Sequence, residues 1–198
     1  MTRLVCASAV AAALMAAPAS ATTIFDLSPD NNVTNRASDS GPGQGVTVST
    51  TTVIDGMAMD IAMPNGGDFK YMIWDDTNST LLFSQTKSIG ASATPSFVAS
   101  DPFSFTLNAG HTYWFGVIGD NDLNVGFIFP TVPYSANGLT ALMSGNSNYS
   151  NFANPTFDGT AAAEIGLRLD GTQVPEPASL LLLGSGVAAL ARKRMIRR

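Results

Sequence analysis

Acyl or glycosyl transfer needs a nucleophile or a pair of carboxylates together with a proton shuttle, and this 198-residue chain is sparing with all of them. Its one histidine, His111, directly follows the turn signal Asn108-Ala109-Gly110, and its one cysteine, Cys6, lies in an apolar stretch at the start of the chain. A Ser or Cys triad therefore has a single candidate base, and the position of His111 reads as a surface histidine beside a turn. With one histidine and no cysteine after Cys6, a zinc site would have to be all-carboxylate, a donor set that suits harder cations. Asp75-Asp76 is the obvious carboxylate pair for glycosidase chemistry, which requires two such groups roughly 5 to 10 Å apart across one cleft. Neighbours on a strand point to opposite faces, so this adjacency reads as a turn. No catalytic residue is assigned, and the chain reads as a non-enzyme.

Two binding chemistries fit the residue types better. Asp120, Asn121, Asp122 and Asn124 cluster oxygen ligands after Gly119, as a Ca²⁺ site would. Their spacing is not that of an EF-hand loop, and Asp, Asn and Gly are also what a tight turn selects. Tyr71, Trp74, Tyr113 and Trp114 could serve as platforms for sugar rings. Tyr113 and Trp114 are consecutive and must face opposite sides of a strand, so at least half of such a set belongs to a core. Asn32-Val33-Thr34, Asn78-Ser79-Thr80 and Asn148-Tyr149-Ser150 match the N-glycosylation sequon, a match that Asn- and Thr-rich sequence produces by chance.

The elements that position these groups read as strands. Met57, Met59, Ile61 and Met63 alternate with Ala58, Asp60 and Ala62. Phe103, Phe105 and Leu107 alternate with Ser104 and Thr106, and Ile165, Leu167 and Leu169 alternate with Glu164, Gly166, Arg168 and Asp170. On this reading Asp60 and Glu164 face outward. Further strands are predicted over Val46 to Ile54, Phe69 to Trp74, Leu81 to Thr86, Tyr113 to Ile118 and Val125 to Phe129. Turns are predicted at Pro64 to Gly67, Asp75 to Ser79, Asn108 to Gly110 and Gly119 to Asn124. Asn31 to Gly45 and Ser135 to Thr160 are polar and read as long loops at the ends of the fold. No sustained helical period occurs between the two ends of the chain. Eight or more short strands at this spacing predict one antiparallel β-sandwich or jelly roll. The stretch from Met57 to Gly119, and Leu107 to Phe115 within it, resembles sandwich domains of secreted bacterial proteins in a generic way.

Both ends of the chain are addresses. Met1-Thr2-Arg3, the apolar Leu4 to Ala17 and the small-x-small Ala19-Ser20-Ala21 make a secretory signal peptide over residues 1–21, with cleavage before Thr22. The implied partners are the Sec translocon and signal peptidase. At the other end stand Val174-Pro175-Glu176-Pro177, the apolar run from Ala178 to Ala191, and the basic cluster Arg192, Lys193, Arg194, Arg197 and Arg198. A helix over residues 178–191 would be about 21 Å long, short of the roughly 30 Å hydrocarbon core, and is a marginal membrane span. The basic tail favours a cytoplasmic C-terminus and places the rest of the chain outside. Each proline pushes the residue before it toward extended backbone, the conformation in which proteases read substrates.

These three parts, in this order, resemble the PEP-CTERM sorting signal of bacterial envelope proteins. The resemblance covers residues 174–198. It implies that exosortase, a membrane-embedded cysteine protease of the transpeptidase type, cleaves at or near Pro175-Glu176-Pro177, and that the exported chain is held in the inner membrane until then. The destination it implies is the cell surface or an exopolysaccharide matrix, with surface glycosylation as a modification seen with such tails. The bland alternative is a plain C-terminal anchor with a chance Pro-Glu-Pro.

Between the signals, residues 22–173 suffice for one domain. Fourteen acidic residues against Arg36, Lys70, Lys87 and Arg168 give that region a net charge of about −10, which repels nucleic acid and anionic lipid. Without cysteine after Cys6 it has no disulfide and depends on core packing. The reading is a secreted structural or adhesive envelope protein. The runner-up is a carbohydrate-binding module, which exposed aromatics on one face would favour. A glycan-active enzyme is third, favoured by paired carboxylates in a cleft.

Overall fold

The computed structural model describes residues 22–28, 32–76, 80–128, 133–161 and 164–173. The expected signal peptide, the Pro-Glu-Pro motif, the membrane segment, the basic tail and the sequon at Asn78 lie outside these residues. Among them the strands in chain order are β1 (Thr22–Leu27), β2 (Asn32–Arg36), β3 (Ser40–Val48), β4 (Thr52–Ala62), β5 (Gly67–Asp75) and β6 (Thr80–Ile89). There follow β7 (Ser96–Ala99), β8 (Phe105–Leu107), β9 (Thr112–Gly119), β10 (Leu123–Ile128) and β11 (Ser135–Ala136). The last are β12 (Leu139–Ser150), β13 (Thr156–Ala161), β14 (Glu164–Ile165) and β15 (Leu167–Gln173).

These strands form two antiparallel sheets. One runs β1-β15-β4-β10-β14, with β2 on β10 and with β7 and β8 on β4; the other runs β11-β12-β3-β9-β5-β6, with β13 on β12. Their inner faces share one core. Met57, Met59, Ile61 and Met63 enter it from the first sheet, and Phe69, Tyr71, Ile73, Tyr113, Phe115 and Val117 from the second. The fold is all-β, as the alternation predicts, because each of these runs has one apolar face to bury against the other sheet.

Four expectations are corrected. Val46 to Ile54 is not one strand: the chain turns at Ser49 to Thr51 and passes from the second sheet to the first. Val46, Val48, Thr52 and Ile54 all keep the inward phase, so period alone cannot see the corner. Hydroxyls support it, with Thr52 Oγ1 donating to the Thr50 carbonyl at 2.8 Å and Ser49 Oγ to the Gly138 carbonyl at 3.0 Å.

Asn31 to Gly45 is not a loop either, since it contains β2 and the first half of β3. Its glycines look like turn formers, but a Cβ on Gly41 would lie 1.8 Å from the Val117 carbonyl oxygen, and one on Gly45 would meet the Trp114 ring at 2.9 Å. They are there for close approach within a sheet.

Ser135 to Thr160 is likewise strand rather than loop, carrying β11, β12 and most of β13. Asn- and Ser-rich sequence hides it, because the β12 ladder with β3 is broken by an irregularity between Ala141 and Asn146. Finally, the 164–170 strand is interrupted at Gly166, where the chain changes partner: Ile165 pairs with Phe127 of β10, and Leu167 with Met59 of β4.

A buried polar side chain joins the sheets. Gln44 of β3, fully buried, points inward and accepts from the Ile165 backbone N–H of the opposite sheet at 3.0 Å. Its amide donates to the Gly45 carbonyl at 2.9 Å and the Leu142 carbonyl at 3.3 Å. An unpaired amide here would be costly, and all its groups are engaged.

Candidate functional site

The four aromatics proposed as sugar platforms sit on two adjacent strands in register. Trp74 lies directly opposite Trp114, Asp75 opposite Tyr113, and Tyr71 opposite Val117. Alternation sends Tyr71 and Tyr113 into the central core and Trp74 and Trp114 to the outer face of the second sheet. The outer pair is nevertheless covered, with Trp74 5% and Trp114 4% exposed.

Tyr149 of β12 stacks on Trp74 at 5.7 Å between ring centroids and 19° between planes, and its ring lies over Gly116. Phe157 of β13 meets the Trp74, Trp114 and Tyr149 rings at 6.4, 5.9 and 5.8 Å. The hairpin expected to be a loop thus builds a second small core with Met72 and Ile118 on the sheet's back. None of Tyr71, Trp74, Tyr113 and Trp114 presents an open ring face, which corrects the platform expectation.

Their polar ends are structural as well. Tyr71 donates its hydroxyl to the Val98 carbonyl, and burial, with Asp101 second, pushes its pKa well above the ordinary range. The Tyr113 hydroxyl accepts the Asn108 N–H at 3.1 Å, pinning the 108–110 turn, and Trp114 Nε1 donates to Asp76 Oδ1 at 2.6 Å.

The oxygen-rich loop after Gly119 distributes its ligands outward. Asp120 Oδ1 accepts the Asp68 N–H at 3.0 Å and Asp122 Oδ1 the Ser38 N–H at 3.2 Å. Asn121 donates to the Gly66 carbonyl at 3.2 Å, and Asn124 bridges Asn35 and the Ala93 carbonyl at 3.0 and 2.8 Å. Among the described residues no three His, Cys, Asp or Glu side chains come together as metal ligands. The loop's two aspartates cap backbone donors of two other segments, and its asparagines bond to Gly66, Asn35 and Ala93.

His111 is exposed, its Nδ1 4.0 Å from Asp75 Oδ2 and its ring stacked near Tyr113. Asp75 is the last residue of β5, and the Asp76 N–H donates to the Thr112 carbonyl of β9; the rest of the expected turn to Ser79 lies outside the described residues.

One constellation was missed by sequence reasoning. Asp60 is on the outer face of β4, as expected, but it is buried, at 8% exposed. Phe97 lies opposite Asp60 and Arg168 opposite Ala58, so the two side chains meet across the strand, and the guanidinium sits 3.7 Å over the Phe97 ring. Arg168 Nε also donates to Asp26 Oδ1 at 2.9 Å. Burial raises the Asp60 pKa and the Arg168 charge partly offsets this. Register sets this group, and a single sequence does not print register. Next to it a shallow depression of about 350 Å³ over Gly56 is lined by Asp55 and Asp170. The Asp170 carboxylate accepts from Thr23 Oγ1 at 2.7 Å.

The end of the chain remains. β15 lies between β1 and β4, and its last pair among the described residues is Gln173 with Thr52. Val174 follows without a linker. Residues 173–198 match the family model of the PEP-CTERM protein-sorting motif. The chain carries a PEP-CTERM sorting motif. That motif indicates an exosortase-sorted surface protein, implies exosortase as its processing partner and signals export. The PEP-CTERM match begins at Gln173, the last described residue of β15. No curated protein matches the chain. Among the described residues no helix is long and apolar enough to cross a membrane.

Proposed function

We propose that this chain is a non-enzymatic structural or adhesive component of an exopolysaccharide-bearing envelope or matrix, held in the inner membrane by residues 178–191 until exosortase acts at Pro175-Glu176-Pro177. The sorting motif carries this reading, because it commits the attached domain to the surface whatever that domain binds. The sandwich supports it in a second way. The candidate functional side chains, from the two tryptophans to the aspartates after Gly119, bond to their own fold, as suits a durable module more than a reaction centre.

Intact mass of the protein from envelope and extracellular fractions of its host tests the reading. A chain that has lost Arg198 and ends near the motif is expected, along with retention of that chain in the polysaccharide-bearing fraction. Replacing Pro175, Glu176 and Pro177 by alanine should leave the tail uncut and the protein in the membrane fraction. A wild-type chain that keeps Arg198 would make it an ordinary anchored protein.

A further inference from the structure

The last described pairs of β15 bear on the processing step, given the processing reading above. β15 is held on both sides for most of its length, by β1 from Leu167 to Gly171 and by β4 from Leu167 to Gln173. Among the described residues the β1 ladder runs to Thr22 opposite Gly171, and Thr172 and Gln173 pair with β4 only, opposite Val53 and Thr52. Immediately before them, Gly171 is locked, since a Cβ there would lie 2.2 Å from the Val53 carbonyl oxygen. The motif begins at the next residue after Gln173, and four residues separate Gln173 from the apolar run in sequence, a reach of at most about 14 Å. A protease takes its substrate as an extended segment and needs backbone on both sides of the cut. Here the side toward the domain is already a strand in a sheet.

We propose that the native β4–β15 ladder throttles processing: the enzyme acts on the chain in which Thr172 and Gln173 have left β4, so cleavage at the motif is slowed by the stability of that last pairing. The device needs no extra domain, because the motif follows Gln173 directly in sequence. Only the segment from Thr172 onward yields, since Gly171 and the residues before it are paired on both sides. The sandwich stays closed while its tail is presented.

The test compares processing rates of full-length chains in the native host by pulse-chase, with the mass of the released product as readout. An insertion of about eight Gly and Ser residues between Gln173 and Val174 supplies free backbone without touching the domain. It should speed processing by roughly tenfold, the effect of releasing one or two ladder hydrogen bonds. The opposite variant pins the junction. Thr52→Cys with Gln173→Cys joins two directly opposed positions of an antiparallel pair, whose spacing a disulfide can span. The domain has no cysteine to compete with it. That chain should be processed slowly, and reductant should restore the rate.

If the wild type is cut at the motif but neither insertion nor cross-link changes its rate, the throttle is refuted and the processing reading stands. If the wild type keeps Arg198, the processing reading falls and takes the throttle with it.

Discussion

Gly116→Ala tests the claim that the β12–β13 hairpin lies on the outer face of the second sheet. A Cβ at position 116 would stand 2.3 Å from Tyr149 Cε2, 2.8 Å from Cζ and 3.0 Å from Cδ2. The ring has no room to yield, being 1% exposed, stacked on Trp74 at 5.7 Å and met edge-on by Phe157 at 5.8 Å. Overpacking a filled core costs about 1–3 kcal/mol, and with both flanks of the ring occupied the upper half of that range is expected. For a domain of this size that lowers Tm by roughly 4 to 12 °C.

The assay is unusually clean because the chain has two tryptophans, Trp74 and Trp114, and both lie in this layer. In the purified domain of residues 22–173, wild-type emission should be that of buried indole, and Gly116→Ala should shift it to longer wavelength as the Tyr149 ring is pushed off. A double-mutant cycle isolates the contact. Tyr149→Ala alone should cost about 3–5 kcal/mol for the cavity it leaves, and distinctly less in the Gly116→Ala background, where the new methyl occupies part of that space. Additive costs, or wild-type emission like that of exposed indole, would refute the covered face and reopen the tryptophans as a binding platform.

Other outcomes follow from the same contacts. Gln44→Leu should destabilise the domain by about 1–3 kcal/mol in urea melts, because it leaves the buried Ile165 N–H without its acceptor. Asp60→Asn concerns an acid whose pKa burial raises above its ordinary 3.8. Such a group favours the folded state below about pH 4 and costs stability as pH rises through its folded-state pKa. The Asn variant should therefore be the more stable protein at pH 7 and lose that advantage by pH 4, and urea melts showing the reverse order would contradict the burial argument. Trp114→Phe should cost more than Trp74→Phe in thermal melts, since Trp114 Nε1 donates to Asp76 while Trp74 Nε1 is buried without an acceptor among the described residues.

How much of this could be read from residues alone depends on the range of each interaction. Strands such as Phe69 to Trp74 and Tyr113 to Ile118 were legible as short apolar and aromatic runs bounded by turn residues, and they are buried on both faces. The corner at Ser49 to Thr51 was not, since Val46, Val48, Thr52 and Ile54 keep one phase through it. The segment Asn31 to Gly45 read as a loop because it is polar, and the reason for the glycines of β3, a neighbouring carbonyl or indole within bonding distance of any Cβ, comes from strands far along the chain. Polar β12 and β13 hid for a related reason: their aromatics, Tyr149 and Phe157, are too widely spaced to show a period.

By itself the sequence determined where this protein is sent and what kind of domain travels there. A sorting motif is read as a linear string, and an all-β fold follows from period, turn residues and the absence of helical stretches. Tertiary structure alone decided which side of the sheet is open. It turned two tryptophans from a surface into a core, buried Asp60 beneath Phe97 and Arg168, and paired Gln173, the residue before Val174-Pro175-Glu176-Pro177, with Thr52. Each of these is a matter of register and layering between residues distant in the chain, and register is fixed by which faces must be buried together.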